Sequence, residues 1–561
     1  MKSPEDPTSD VTDEDDLLRC RRLLSSLSAS VPSVQSFKGK WSLIHSRLDI
    51  LTVHLSDLDG PDSSHPLSSD LLRRLSQTLS DALSLSLSPS VGRLRTRSDL
   101  DSLSAALDRL ASDADLLLKS GVLRDPPPSD HRRSDGREAV RSEARTIVTR
   151  LQIGTTESRA LALDSLLGLM SADDKNVMIV AAQGAASVLV RLIDSSSASP
   201  ETREKAVSAI TRISTVDSCK HVLIAEGVIL LNHLVRALDP GGSSAARRDA
   251  CVALRSLSLS RDNARAIGGR GGVSGLLDIA RSGTPSSQAV AAAVLKNLAA
   301  VPEVRQNLVD EDCVPVLVGL ANSGTAEARE NSIGCLCNLA SDEGDQEIKL
   351  LIVRSGGIDC VRDYWDAATS PSDRCLEPAA ALVRNLSMYK YVAEIVVSAG
   401  FVARLVAVLE KGSTPGARSA AAGAVYEAAY DAKTKRGFGE AGGIRPLVRM
   451  LEAKSMEERE AAAKALACLL TCSLNRRLFR KDEAGVYGAV QLLDASIVAV
   501  DKRYPIAILG AVSESRRCRK QMVAAGGCGY LRRLAEMEVE SAKRLLERLE
   551  KGKLWGVFPR A

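Results

Sequence analysis

Aromatic residues are scarce in this chain. Phe, Trp and Tyr make up only 3% of its 561 residues, whereas hydrophobic residues as a whole reach 45%. A folded core must therefore be built from Ala, Leu, Val and Ile, and such small or branched side chains suit helices that pack closely together. The same shortage leaves few rings on which nucleobases could stack, so we expect no nucleic acid partner.

Strong net charge and metal-ligand patterns are absent as well. The formal charge of +4 is close to neutral for this length and gives no argument for a nucleic acid ligand. The twelve cysteines and six histidines include no C-x-x-C pair and no other spacing typical of metal ligands. We therefore expect buried reduced thiols, and neither a metal nor a cofactor.

Long apolar runs and catalytic motifs are also missing. No run of eighteen apolar residues occurs, so we expect no membrane insertion. Residues 268–272 are glycine-rich, but no strand precedes them and no Gly-Lys-Ser/Thr follows, so they do not form a phosphate loop. Because no hydrolase, protease or kinase motif appears either, the sequence predicts a non-enzymatic protein of the cytoplasm, the nucleus or both.

The chain does contain a motif that returns. Leu or Val, any residue, Asn and Leu end three apolar segments, and the asparagines of these segments lie 41 and 47 residues apart. A turn, with one or two glycines at all but one of its positions, recurs between such segments every 41 to 45 residues. Its positions are Gly184, Gly227, Gly272, Cys313, Gly357, Gly400, Gly443, Gly485 and Gly527. A period in the low forties predicts a solenoid of helical repeats.

Each period contains three helical segments. A short helix ends at the glycines, a second apolar helix follows them, and a loop leads to a long third helix such as residues 288–300. Three helices in about 42 residues favour the armadillo arrangement. HEAT repeats, which have two helices and no double-glycine corner, are the alternative architecture.

The repeats occupy only part of the chain. We expect an acidic disordered leader over residues 1–16, a leucine-rich bundle of four antiparallel helices over 17–121 and a charged, proline-rich linker over 122–137. About nine repeats over 138–555 and a tail over 556–561 complete the chain. The predicted fold class is all-α, a right-handed armadillo-repeat superhelical solenoid preceded by a small N-terminal helical bundle.

The repeat motifs resemble armadillo repeats over about 420 residues. The resemblance rests on the Gly-Gly-Ile corner, on Leu-Val-x-Leu-Leu and on Leu-x-Asn-Leu-Ala taken together. A leucine-rich helical region before the array is similar to plant U-box/armadillo proteins and their armadillo-repeat-only relatives. Members with a U-box are ubiquitin ligases, but only the linker separates bundle and repeats here, so we do not expect a U-box or its ligase activity.

The resemblance also implies where a partner binds. In armadillo proteins the third helices line a concave groove, where a row of asparagines holds an extended peptide by its backbone amide groups. Three asparagines occupy the matching position here, and basic residues stand beside them or on the same line. The candidate site residues are Asn297, Asn338, Asn385, Lys296, Arg384, Arg255 and Arg212. The alternative is that the asparagines bridge neighbouring helices and the basic residues are ordinary solvated positions.

These features predict a protein-interaction scaffold or adaptor that binds extended acidic segments of other proteins, with kinase-domain or other signalling proteins among the candidates. A nuclear import receptor is not expected, because the tryptophans that such carriers place four residues before each asparagine are replaced by Ala293, Gly334 and Ala381. The alternative function is a ubiquitin-ligase-related component that recruits substrates and relies on a partner for ubiquitin transfer.

Overall fold

The computed structural model describes residues 15–58, 62, 65–87, 93–124, 136–196, 198–342, 344–368 and 376–554. Over these ranges the regular secondary structure is helical, and no strand occurs in them. The predicted all-α class is therefore confirmed. The predicted tail, nearly all of the acidic leader and most of the linker lie outside the described residues.

The N-terminal region forms four long helices, which are α1 Asp16–Ser30, α2 Lys38–Asp57, α3 Pro66–Leu87 and α4 Arg93–Ser120. Short 3-10 turns follow α1 at Val31–Ser33 and α4 at Val122–Arg124. Leucines at helical spacing, such as Leu71, Leu75 and Leu79, are at most 2% exposed and form one core with those of the other three helices. Burial of this leucine stripe holds the bundle together.

Helices α2 and α4 are joined by three contacts between a basic and an acidic side chain, which lie one heptad apart. The pairs are Lys40–Asp101, Arg47–Asp108 and His54–Asp115. Because each acidic partner lies the same number of residues beyond its base, the two helices run in the same direction. A shared direction of the second and fourth helices is compatible with the predicted antiparallel bundle, because consecutive helices of such a bundle alternate in direction.

From residue 136 onward the helices build the repeats. Two helices, α5 Gly136–Ile153 and α6 Thr156–Ala172, precede the first full set of three. The first helices are α7 Asp174–Ala182, α10 Lys220–Ala225, α13 Arg261–Gly269, α16 Pro302–Asp310, α19 Gln346–Arg354, α22 Lys390–Ser398, α25 Ala432–Glu440, α28 Ser473–Phe479 and α31 Arg516–Ala524. A 3-10 turn, Asp217–Cys219, leads into α10.

The second and third helices follow in the same order. The second helices are α8 Ala185–Asp194, α11 Gly227–Arg236, α14 Gly272–Ser282, α17 Cys313–Ser323, α20 Gly357–Asp366, α23 Phe401–Lys411, α26 Ile444–Met450, α29 Glu483–Gln491 and α32 Gly527–Glu536. The third helices are α9 Pro200–Ser214, α12 Ser244–Leu257, α15 Pro285–Ala299, α18 Ala326–Leu339, α21 Leu376–Ser387, α24 Pro415–Ala428, α27 Met456–Leu469, α30 Arg503–Val512 and α33 Glu540–Leu554.

The corner between first and second helices depends on one residue with positive φ. Gly356 shows the common form, with φ 85°, a conformation that costs glycine little. In the fourth repeat Asp312 takes this place with φ 55°, which an aspartate tolerates better than most side chains do. In the eighth repeat the predicted corner residue, Gly485, instead lies inside α29, where an added Cβ would come within 2.8 Å of the Phe479 ring.

Side chains of one helix satisfy the carbonyl groups that end another. The last carbonyls of a helix have no intrahelical donors. Near the start of its third helix, Arg203 donates to the Ser195 carbonyl at 3.0 Å, and Arg329 donates to the Ala321 carbonyl at 2.8 Å. Gln288 makes the corresponding bond in α15. These recurring bonds fix the loop between second and third helices, and thereby the direction of each third helix.

Backbone packing divides the chain into two compact units. The first comprises residues 1–237 and 243–257, and the second comprises residues 238–242 and 258–561. The bundle belongs to the first unit, in which Ile153 of α5 packs into the bundle core. The predicted linker, residues 122–137, starts at the Val122–Arg124 turn and ends inside α5, and its middle part, residues 125–135, lies outside the described residues. The predicted domain boundaries stay predictions.

None of the described helices is long and apolar enough to cross a membrane alone. Three pairs of consecutive helices reach that length and composition only together, and each pair is bent by 76° to 101° between its two members.

Candidate functional site

The third helices of the second unit pack side by side. Helix α15 contacts α18, α18 contacts α21, and the row continues through α24, α27 and α30. We call the surface formed by the last turns of α15, α18 and α21 the ladder face, defined by Lys296, Asn297, Asn338, Arg384 and Asn385. The structure thus brings five of the seven predicted site residues together on neighbouring helices.

The other two predicted residues, Arg212 and Arg255, belong to the first compact unit. Arg212 donates to an Asp174 carboxylate oxygen at 2.6 Å and to the Met170 carbonyl at 3.2 Å. Its charge is therefore already neutralised by a partner within the chain. Arg255 is half-buried on α12.

The side-chain amide of Asn338, on the ladder face, uses only part of its hydrogen-bonding capacity. Its Nδ2 donates to the Lys296 carbonyl oxygen at 2.9 Å, and its side chain is half-buried. Within the described ranges this is the side chain's only hydrogen bond. Because a carboxamide carries two N–H donors and one oxygen acceptor, one N–H and the oxygen of Asn338 remain for the backbone of a peptide. Asn297, also half-buried, donates from Nδ2 to the Ser258 hydroxyl at 2.9 Å.

Asn385 is placed differently from the other two asparagines. It is only 2% exposed, and its Nδ2 donates to the Cys337 carbonyl at 3.0 Å. Its Oδ1 accepts a hydrogen bond from Arg384 Nε at 3.3 Å. This geometry corresponds to the alternative drawn from the sequence, in which the asparagine bridges neighbouring third helices. We therefore assign Asn385 a positioning role, since it holds Arg384 in place.

Ladder residues also connect successive repeats. Asn338 and Asn385 each donate to a carbonyl in the last turn of the preceding third helix, and Arg212 donates to a carbonyl in the last turn of α6. Those carbonyls lie at the negative end of a helix dipole, so each accepts a donor favourably. Sequence reasoning placed these residues on one line but could not show that the same line carries contacts between repeats.

Lys296 is a half-buried cation with no carboxylate partner among the described residues. Its Nζ donates to Asn331 Oδ1 at 2.6 Å, and Asn331 is itself only 7% exposed. The aliphatic stem of Lys296 crosses Gly334 on the next third helix, where an added Cβ would lie 2.8 Å from Lys296 Cδ. In the described parts of the chain, Lys296 forms no ion pair with an acidic side chain.

Arg384 repeats this arrangement two helices further along the row. Its stem crosses Gly423 of α24, where an added Cβ would lie 2.6 Å from Arg384 Cδ. It is half-buried, and over the ranges that the structure describes its guanidinium bonds to Asn385 and to no carboxylate. The ladder face therefore presents two cations without a carboxylate partner in the described part of the chain, each held in place by a neutral neighbour.

The cations on the third helices α18, α24, α27 and α30 are engaged by neighbouring groups. Lys464 lies 3.7 Å from a Glu427 carboxylate oxygen and 4.2 Å from the centre of the Tyr426 ring. Arg418 forms an ion pair with Glu458, whose side chain is 3% exposed. The remaining arginines of α18, α27 and α30 either donate to a carbonyl in or just beyond the last turn of a second helix or pair with an aspartate. Lys296 and Arg384 stand apart from all of these.

The thiol between the two cations is electrically neutral. Burial raises the pKa of Cys337 to about 11, and the nearby Arg384 charge offsets this only in part. Cys337 therefore stays protonated at neutral pH and contributes no negative charge that would compete with a ligand.

Repeats of three helices, with asparagines and cations along a row of third helices, define an armadillo-repeat protein. The family model described as the plant U-box protein ARM repeat region matches residues 142–425, half of the chain, and the chain belongs to this family. Residues 18–122 match a second model, described as a domain of unknown function, DUF7032. The resemblance drawn from the sequence motifs is thereby confirmed.

Known proteins agree with this assignment. U-box domain-containing protein 8 of Arabidopsis thaliana is 28% identical over 232 residues, which are 39% of this chain and 60% of that protein, so the chain spans about 60% of this relative's length. Among solved structures, an engineered protein from a structural genomics consortium is similar with a TM-score of 0.60 and 24% identity, covering 73% of this chain and 98% of its own. That likeness shows the fold alone.

Proposed function

We propose that this protein is a non-enzymatic scaffold whose ladder face binds extended acidic segments of other proteins. The observation that carries the proposal is the pair Lys296 and Arg384, two half-buried cations with no carboxylate partner in the described ranges. Proteins with exposed acidic segments, kinase-domain and other signalling proteins among them, are the partners of matching chemistry.

Burial makes these two charges more effective than ordinary surface cations. A half-buried ammonium or guanidinium is poorly screened by water, so an incoming carboxylate gains more from it than from an exposed lysine. The partly used amide of Asn338 lies between the two cations along the row of helices and can bond the backbone of an extended segment whatever its side chains are. Charge would then select the segment, and the amide would hold it.

Peptide display on the intact chain tests this proposal. Random peptides selected for binding should be enriched in Asp and Glu, and the double variant Lys296→Ala/Arg384→Ala should lose most of them. A matched control, Arg477→Ala/Lys520→Ala, removes the same charge from exposed positions on the first helices α28 and α31. It should keep the selected peptides.

Two results would contradict the proposal. One is a selected pool without acidic enrichment. The other is equal loss of binding in the control and the ladder-face variant, which would mean that net charge alone attracts acidic peptides, without a defined site.

A second function is favoured by the family itself. The family is described by its U-box members, and the Arabidopsis relative is a U-box domain-containing protein. We therefore keep as an alternative that the chain recruits substrates for a ubiquitin ligase. Purified chain with activating and conjugating enzymes should then support transfer to a bound protein only when a RING or U-box partner is added. If added ligase gives no transfer that depends on the chain, this alternative is excluded.

We propose the cytoplasm, the nucleus or both as the site of action. A fluorescent fusion of the intact chain, viewed together with markers of both compartments, checks this directly. Signal confined to a membrane or to an organelle would contradict it.

A further inference from the structure

We infer that the ladder face reads the spacing of its ligand's charges, so that a ligand carries two acidic side chains six residues apart. The inference rests on the proposed function and adds to it the pattern that is recognised. It also gives a role to Gly334 and Gly423, across which the stems of the two cations pass. These glycines fix the positions of the two charges and thereby determine specificity.

The same structural unit is used twice. Lys296 and Arg384 each come directly before a ladder asparagine, and each extends its stem across a glycine 38 or 39 residues further on. An alanine at either glycine would place Cβ within 2.8 Å of the cation's Cδ, closer than carbon atoms approach without moving. The glycines thus leave a channel that fixes where each stem lies, and with it the position of each charge.

The distance between the charges follows from helix packing. Helix α18 lies between α15 and α21 in the row of third helices. Packed helix axes are about 8–10 Å apart, so equivalent positions on α15 and α21 are about 16–20 Å apart. An extended chain rises about 3.3 Å per residue, and this span therefore corresponds to about five or six residues.

The alternation of side chains decides between five and six. In an extended segment, side chains an even number of residues apart point the same way, whereas an odd separation sends them to opposite sides. Both cations must be reached from the same side of the segment, because they occupy equivalent positions on parallel-packed third helices. A separation of six is therefore preferred.

Synthetic peptides test the spacing on the full-length chain. Each of four 13-residue peptides of Gly, Ser and Asn carries two Asp residues, separated by three, four, six or nine positions, with identical composition. A fifth peptide carries Asn in place of both Asp residues. Fluorescence anisotropy at low salt should show that the six-residue spacing binds at least about fivefold more tightly than the other three, since only this peptide forms both charge contacts.

The role of Gly334 and Gly423 needs a measurement that separates an effect on binding from an effect on folding. Gly334→Ala and Gly423→Ala each should weaken binding of the six-spaced peptide about fivefold by displacing one cation. Alanine is the better helix former, so neither variant should unfold at a lower temperature unless the stem cannot move aside. Gly510→Ala on α30 is the matched control, because no atom lies within 4 Å of its added Cβ.

The outcomes distinguish a failure of the proposed function from a failure of the spacing inference. If no acidic peptide binds better than the Asn peptide, the proposed function fails, and the spacing inference fails with it. If the four acidic peptides bind equally and more tightly than the Asn peptide, the proposed function stands and the spacing inference is overturned. If the spacing preference holds but both glycine variants bind like the control, the role assigned to the glycines is wrong.

Discussion

The contact between Gly439 of α25 and Asn475 of α28 gives the sharpest stability prediction. Asn475 is fully buried and donates to the Lys435 carbonyl at 2.8 Å and to the Leu469 carbonyl at 2.9 Å. A Cβ added at Gly439 would lie 1.8 Å from Asn475 Oδ1. The variant Gly439→Ala therefore forces the amide out of its site, between the seventh and eighth repeats.

The expected cost can be worked from these contacts. Overpacking costs about 1–3 kcal/mol, and loss of the two hydrogen bonds adds about 1 kcal/mol each. Alanine's higher helix propensity returns about 1 kcal/mol. The variant should thus lose about 3 kcal/mol of local stability. Gly437→Ala in the same helix is the matched control, since no atom lies within 4 Å of its added Cβ, and it should be neutral or slightly stabilising.

Hydrogen exchange measured by mass spectrometry is the appropriate assay, because repeat proteins open locally and need not unfold in one step. Amides of α25 and α28 should exchange about 100-fold faster in Gly439→Ala, as about 3 kcal/mol corresponds to about two powers of ten. Exchange in the N-terminal bundle should not change. If Gly439→Ala protects these helices as well as Gly437→Ala does, the buried Asn475 contact does not hold the two repeats together.

Two further predictions concern the repeat corners and the thiols. Asp312→Gly should stabilise the chain by about 0.5–1 kcal/mol in a denaturation series, because φ 55° strains aspartate but not glycine. Glu311→Gly is the control and should not stabilise the chain, because Glu311 has φ −89°. Equal effects of the two substitutions would show that the corner is unstrained. Burial raises the pKa of the Cys251 thiol to about 12, so alkylation at pH 8 should modify the half-buried Cys472 before Cys251. If a timed mass-spectrometric experiment shows Cys251 modified before Cys472, the described core is contradicted.

The architecture was predictable because the spacing of the recurring sequence motif gives the length of the structural repeat. Glycines at intervals of 41 to 45 residues mark nearly every corner, and three apolar segments fit between them. Where another residue takes the corner position, as Asp312 does, the period still locates it. At Gly485 the pattern misled by a few residues, because that glycine makes room for the Phe479 ring inside a helix and does not form the turn.

The candidate site was predictable in place but not in detail. Spacing puts Asn338 and Asn385 at equivalent positions, yet one is half-buried with a partly used amide and the other is 2% exposed and fully engaged. That difference depends on side-chain conformation and on the carbonyl across the helix interface, neither of which a linear pattern contains. The contacts of Gly334 and Gly423 with the two cations could not be predicted either, because each contact joins residues nearly one repeat apart.

The ion-pair partners of the basic residues could not be predicted from the sequence either. Arg212 and Arg384 look alike as basic residues near the ladder line, but Arg212 has an aspartate partner and Arg384 has none in the described ranges. Only three-dimensional proximity separates a neutralised cation from one that can attract a ligand. Of these two arginines, only Arg384 is therefore part of the basic site that we propose, together with Lys296.

The central claim is that acidic segments bind on the ladder face, and photo-crosslinking tests it most directly. A six-spaced peptide with a photoreactive residue midway between its two Asp residues should, after irradiation with the full-length chain, attach to α15, α18 or α21, with the adduct located by peptide mass spectrometry. The account predicts adducts on these helices that disappear in Lys296→Ala/Arg384→Ala. Adducts concentrated on the basic first helices α28 and α31 or on the N-terminal bundle would contradict it.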